Sequence, residues 1–134
     1  MDIHTTALGW KVIGCAIEVH KELGPGLLES AYDRALASEF RIRGIRFRQQ
    51  VAVPGSYKGE HLGNVYRVDF VVENELVVEL KAASQLAPTH RAQLRTYLRS
   101  LGIRQGLLLN FNFPRLVDGL MSVLLPDRQD QERT

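Results

Sequence analysis

Residues 68–82 read VDFVVENELVVELKA. Two apolar runs flank a polar turn, the pattern of a β-hairpin. Asp69, Glu79 and Lys81 nevertheless occupy positions where a buried strand ordinarily carries valine or isoleucine. Strand side chains alternate, so Val68, Phe70 and Val72 are expected on one face, as are Leu76, Val78 and Leu80. For both triplets to meet one core, Phe70 pairs with Val78 and Val68 with Leu80. That register sets Asp69 opposite Glu79 and Arg67 opposite Lys81. It leaves Glu73-Asn74-Glu75 as a three-residue turn, in which Asn tolerates the left-handed conformation. A two-residue Asn74-Glu75 turn would oppose Asp69 to Leu80 and set charge against core, so the alternation rejects it.

Two carboxylates side by side, with an ammonium one residue pair along, raise each other's pKa and destabilise the strand unless a cation sits between them. Oxygen donors in small number suit Mg²⁺ or Mn²⁺ rather than zinc. A lysine beside such a metal can position or deprotonate a water for attack on phosphorus. The competing explanation for an isolated E-x-K triplet is a solvent-facing Glu–Lys pair worth a few tenths of a kcal/mol. The nine-residue gap from Asp69 to Glu79, matched to the hairpin register, favours the metal site.

Outside the hairpin, residues 5–23 carry Leu8, Val12, Cys15, Ala16, Val19 and Leu23 at helical spacing, and Gly24-Pro25-Gly26 ends that helix. A second helix is expected over 27–43, ended by Gly44. Residues 45–54 alternate as a first strand, 55–63 read as a loop around Tyr57-Lys58-Gly59, and strands follow at 64–72 and 76–82. A third helix covers 88–101, and the nearly all-apolar residues 106–111 suit a strand buried on both faces. Residues 114–125 read as a last short helix. The order is α-α-β-β-β-α-β: an α/β chain with a mixed sheet covered by helices on both sides, forming one domain over 1–125 with a polar tail at 126–134.

The chain has 134 residues, 45% hydrophobic and 24% charged, which suits a soluble globular domain with a real core. No apolar stretch reaches the roughly 20 residues of a membrane span, so no membrane partner is expected. The N-terminus lacks the features of a signal peptide. Cys15 is the only cysteine, which excludes an intrachain disulfide and points to the cytoplasm. With His4, His20, His61 and His90 scattered outside any ligand spacing, no zinc site is expected. Net charge is only +2, but arginine outnumbers lysine thirteen to four. Arg34, Arg41, Arg43, Arg46 and Arg48 face Glu39 alone within 34–48, and Arg91, Arg95, Arg99 and Arg104 lie in a stretch without acids. Such runs are either solvated faces or a nucleic-acid surface.

Asp69 followed by Glu79-Leu80-Lys81 resembles the core motif of the PD-(D/E)XK nuclease superfamily, whose core shares the α-β-β-β-α-β order and the restriction-endonuclease-like arrangement. Over residues 6–122 the chain also resembles the small GxxExxY family. The matching stretches are AIEVHKELGPGLLESAY (16–32), YKG (57–59), LGNVYRVDFVVEN (62–74), VELKA (78–82) and AQLRTYL (92–98), with Gly26, Glu29 and Tyr32 supplying the named motif. The resemblance implies Asp69, Glu79 and the Leu80 carbonyl as ligands of Mg²⁺ or Mn²⁺, with Lys81 organising the attacking water. It implies Glu29 as a helical acid beside the metal, and Gln93 with Tyr97 as the Q-x-x-x-Y pair of exonuclease-like branches. His20 would be a further ligand of the kind some exonuclease-like relatives use, and Gln50 would lie near the site. Val68 stands where the superfamily pattern has proline.

Read alone, Gln93 and Tyr97 stack at i, i+4 beside Leu94, Leu98 and Leu101, with Arg91, Arg95 and Arg99 nearly opposite. Glu29 alone is equally well explained as a first-turn acid favourable to the helix dipole, and His20 as a partly buried, hydrogen-bonded histidine. The combined expectation is a Mg²⁺- or Mn²⁺-dependent nuclease, on DNA in preference to RNA, with Arg46, Arg48, Arg91, Arg95 and Arg99 contacting the nucleic acid. Competing with it are a non-catalytic nucleic-acid-binding or regulatory module and a subunit that works in an assembly such as a homodimer.

Overall fold

In the computed structural model, which describes residues 3–126, the sheet runs β1-β2-β3-β4-β5 in spatial order. Its strands are β1 (Phe47–Tyr57), β2 (Glu60–Val72), β3 (Leu76–Lys81), β4 (Gln105–Asn110) and β5 (Leu120–Leu124). The helices are α1 (Ala7–Leu23), α2 (Glu29–Ile42) and α3 (Pro88–Leu101). Neighbouring strands are antiparallel except β3 and β4, which are parallel because α3 carries the chain across between them. No helix of the described residues is long and apolar enough to cross a membrane. The polar tail expected at 126–134 lies outside the described residues from 127 onward.

Helices α1 and α3 start and stop for local reasons. Thr6 accepts the Gly9 N–H at the head of α1, and Gly24, at φ 71°, closes its end. Pro88 opens α3, where His90 Nδ1 accepts the Ala87 N–H at 3.0 Å, and Gly102 ends it in the left-handed conformation. Both sheet faces are covered, as the composition of the strands requires. Val12, Ile13 and Ala16 of α1 and Leu36 and Phe40 of α2 pack on Phe70, Val78, Leu80 and Leu107. Leu94 and Leu98 of α3 pack on Val53, Val68, Val71, Val77 and Leu108.

The register at the turn is the expected one: Phe70 pairs with Val78 and Val72 with Leu76, around Glu73-Asn74-Glu75. Left-handed φ values fall on both Glu73 (52°) and Asn74 (55°). Three expectations are corrected. Residues 55–63 are not a loop. β1 and β2 pair out to Tyr57 and Glu60, joined by Lys58-Gly59 with φ 49° and 81°, the two positive values a two-residue hairpin turn needs. The glycines that suggested a loop sit in a ladder with register shifts at Val53/Pro54 and Gly55/Ser56. Residues 114–125 are a 3₁₀ turn (Leu116–Gly119) and the strand β5, because the sheet edge beside β4 offers pairing that a lone short helix could not match.

The third correction bears on the site. Val68 does not share a face with Phe70: it packs under α3, whereas Phe70 packs under α1 and α2. Alternation therefore slips between them, at Asp69. A matching slip occurs across the ladder, where Phe47 faces the first cluster and Val51 the second. Between these lies Gln50, held at φ 51° and absent from the regular pairing that joins Gln49 to Phe70 and Val51 to Val68. The paired irregularity turns Asp69 out of the regular strand geometry.

Candidate functional site

The regular β2–β3 ladder ends at the Phe70–Val78 pair. Beyond it, backbone pairing gives way to side chains. The Asp69 N–H donates to Glu79 Oε1 at 2.7 Å, and the Leu80 N–H donates to Asp69 Oδ2 at 2.8 Å. Each carboxylate thus replaces a carbonyl that the diverging partner strand no longer supplies, which fixes both acids in place. The pairs that alternation suggested beyond this point, Val68 with Leu80, Asp69 with Glu79 and Arg67 with Lys81, are not formed in the ladder; the two acids meet instead through these crossed bonds.

Glu79 is buried, with 9% of its surface exposed. Burial, then the Asp69 carboxylate, pushes its pKa up to about 8; the Asp69 N–H and the Lys81 ammonium pull it down, and Glu29 adds a smaller upward push. Among the described residues neither Asp69 nor Glu79 makes an ion pair. A buried acid beside a half-buried one, with no ion pair to either, is the chemistry a hard divalent cation fits. Asp69 and Glu79 supply that chemistry between them. No three His, Cys, Asp or Glu side chains of the described residues are grouped closely enough to hold an ion, so Glu29 stands apart from the pair.

Asp69 and Leu80 line a cleft of about 400 Å³ whose opposite wall is α2, through Glu29, Asp33 and Arg34, with Gln50 alongside. Glu29 is exposed at the first position of α2. The buried Tyr32 sets that position: its hydroxyl donates to the Gly24 carbonyl at 2.7 Å and accepts the Leu27 N–H at 3.0 Å, and its ring stacks on Phe111. The tyrosine thereby ties down the Gly-Pro-Gly connection that delivers Glu29. Tyr32→Phe is expected to cost about 1 to 2 kcal/mol by loss of both bonds, read as a lowered Tm with faster exchange of the Leu27 amide.

Tyr97 of α3 reaches the site from the other side. Burial raises its pKa first, then the carboxylate of Glu79, the Tyr66 hydroxyl and the carboxylate of Asp69. Its ring lies 5.2 Å from that of Tyr66. Gln93 is exposed one turn earlier on the same helix. His20 is not brought to the carboxylates. The Phe113 carbonyl accepts from its Nε2 at 2.8 Å, and its ring lines a separate cavity of about 290 Å³ with Lys21 and Arg115.

The arginines divide. Arg48, Arg95 and Arg99 are exposed. Arg46 is bound to Glu73 through Nε and Nη2, and Arg91 donates to the Ser122 carbonyl at 3.0 Å, so these two brace the fold. The buried thiol of Cys15 has its pKa raised, chiefly by burial, and takes no part in the cleft.

Sequence reasoning missed Asp33, Gln49 and Tyr66. Asp33 accepts from Gln49 Nε2 at 2.8 Å and Gln50 Nε2 at 3.2 Å, and Gln50 Nε2 also lies 3.4 Å from Asp69 Oδ1. Burial, followed by the Asp69 carboxylate, raises the Asp33 pKa. The i, i+4 spacing of Glu29 and Asp33 on α2 was a signal that could have found it.

Residues 6–122 match the family model of the PD-(D/E)XK nuclease superfamily. Two solved structures share the fold. The crystal structure of SSO0001 superposes with a TM-score of 0.52 at 16% identity, covering 90% of this chain and 68% of that one. An alkaline exonuclease (LHK-Exo) from Laribacter hongkongensis superposes with a TM-score of 0.51 at 12% identity, covering 97% and 76%. At such identities the likeness is one of fold. The restriction-endonuclease-like core that the resemblance implied is the one observed, with β5 added at its edge. A search against curated protein sequences finds no significant match.

Proposed function

The chain belongs to the PD-(D/E)XK nuclease superfamily, and on that premise we propose that it hydrolyses phosphodiester bonds in DNA, in preference to RNA, with Mg²⁺ or Mn²⁺ as cofactor. The observation that carries this reading is the crossed bonding of Asp69 and Glu79 at the β2–β3 fork, with Lys81 next along the strand. Members of the superfamily generally use divalent metals, and here Asp69, Glu79 and the Leu80 carbonyl would hold one, with Glu29 approaching from α2. When bound, the ion supplies positive charge to the phosphoryl oxygens and lowers the pKa of coordinated water.

The chain's own residues do the rest. Lys81, beside the pair, orients the attacking water and lends charge where it develops. Tyr97, with Gln93, supports the site from α3 on the side away from α2. Arg48, Arg95 and Arg99 are free to contact phosphates, while Arg46 and Arg91 are partly committed within the fold. The stretch around Gly26, Glu29 and Tyr32 supports placement in the GxxExxY branch, and a homodimer would double the basic surface.

The test is cleavage of single-stranded, double-stranded and branched DNA with each metal. Asp69→Ala and Lys81→Ala are each expected to lower kcat/KM at least ~10³-fold. Activity that survives both substitutions belongs to a contaminant. DNA binding without cleavage, salt-dependent and indifferent to metal, identifies instead a module that keeps the fold without turnover.

A further inference from the structure

Asp69 is held on one oxygen by the Leu80 N–H at 2.8 Å. Its other oxygen faces the Gln50 carboxamide at 3.4 Å, and the same Gln50 nitrogen donates to Asp33 at 3.2 Å. Gln50 reaches both acids because its backbone takes a left-handed φ of 51°, so that Gln49 and Gln50, consecutive in a strand, both direct their amides to Asp33. A regular strand would send one of them to the far face. Left-handed backbone at a residue other than glycine is unfavourable and persists only where its surroundings hold it. The two amides converging on one carboxylate supply that hold.

We propose that Asp33 is a positioning residue that acts through Gln50 on Asp69. The Asp33 carboxylate accepts only, so it fixes Gln50 with its NH₂ group, and not its carbonyl, toward the site. The amide then presents a donor edge to Asp69 Oδ1, while the Leu80 N–H secures Oδ2. Without Asp33 the amide is free to flip and set its oxygen against the carboxylate. The arrangement is of the kind in which outer partners orient a ligand and tune its affinity. The consequence for metal affinity rests on the nuclease reading above; the consequence for the Asp69 side chain does not.

The experiment therefore has two readouts on the full chain. The first is amide hydrogen exchange at Leu80 without metal, because that N–H is protected by Asp69. Asp33→Ala and Gln50→Gly are each expected to speed its exchange about tenfold, while core amides such as Leu107 stay unchanged. Gln50→Gly keeps the left-handed φ accessible, so it removes the amide without disturbing the fold. The second readout is the Kd for Mn²⁺ by calorimetry, expected to weaken roughly tenfold in each variant. The decisive feature is the cycle: the double variant should match Gln50→Gly alone, since Asp33 has nothing left to act through. Additive losses, or an unchanged Leu80 exchange rate in the single variants, overturn the proposal. A parent chain that binds no Mn²⁺ defeats the metal-dependent reading, and Leu80 exchange then decides the positioning role by itself.

Discussion

Glu79→Gln is expected to stabilise the metal-free chain while abolishing Mn²⁺ binding and cleavage. Glu79 is buried beside Asp69, and its pKa stands at about 8 against an unfolded value of 4.5. A carboxyl whose folded pKa is raised binds more protons in the native state than in the unfolded one across that window. Stability therefore falls as pH rises from about 4.5 to about 8. At pH 7 the penalty is up to roughly 3 kcal/mol. Glutamine keeps an oxygen to accept the Asp69 N–H, seen at 2.7 Å, and removes the charge. The Tm of the variant should exceed that of the parent by on the order of 5 to 10 °C near pH 8, and the gap should close toward pH 4.

Metal binding follows the same protonation with the opposite consequence. At the proposed site an ion would have to displace the Glu79 proton below about pH 8, so binding near pH 7 is expected to release close to one proton and to tighten as pH rises. Calorimetry in two buffers of different ionisation enthalpy measures that release, and thermal melts across the pH series measure the stability. A variant no more stable than the parent at pH 8 would show that Glu79 is not held at a cost, and the main reason for placing a cation there would fall. A gain in stability paired with a loss of binding is the behaviour of a site that function, not folding, maintains.

The element order and the turn register were legible in the sequence because both follow from apolar periodicity. Phe70, Val72, Leu76 and Val78 had to share a core, and only one register lets them do so. That register ends at Phe70 and Val78, so the meeting of Asp69 with Glu79 depends on side-chain bonds that alternation does not describe. The slip between Val68 and Phe70 was not legible, because it depends on Gln50 adopting a left-handed φ that glutamine does not advertise. Side-chain reach from α2 settles that conformation, and Asp33 looks like any polar residue on a helix until α2 is packed over β1. Lys58-Gly59 carried a weaker turn signal than Asn-Gly would have, so nearby Gly55 and Gly63 made a continuous hairpin read as a loop. β5 was hidden for a related reason: its pairing with β4 is a tertiary choice. The carboxylates and the lysine were visible as residue types, whereas Tyr66 joined the site only through its contact with Tyr97.

Asn110→Ala should produce the largest loss of stability among single polar substitutions near the site. Asn110 ends β4 opposite Lys81 in the parallel ladder and has no exposed surface. Its Oδ1 accepts the Ala83 N–H at 3.1 Å and the Asn112 N–H at 3.2 Å, while its Nδ2 donates to the Ala83 carbonyl at 3.0 Å. One side chain thus stands in for a further pair of ladder bonds just where β3 leaves the sheet after Lys81. Alanine leaves three backbone groups without partners, at a cost of about 3 kcal/mol, read as a Tm lowered by about 10 °C. Local effects separate this clamp from general loosening. Exchange at the Ala83 amide should accelerate well beyond that at Phe111, whose N–H is bound to the Lys81 carbonyl at 2.9 Å by the main chain alone. If both amides accelerate equally, Asn110 serves the fold as a whole. If Ala83 alone responds, the residue holds the exit of the strand that carries Glu79 and Lys81, and kcat should fall in that variant with KM little changed.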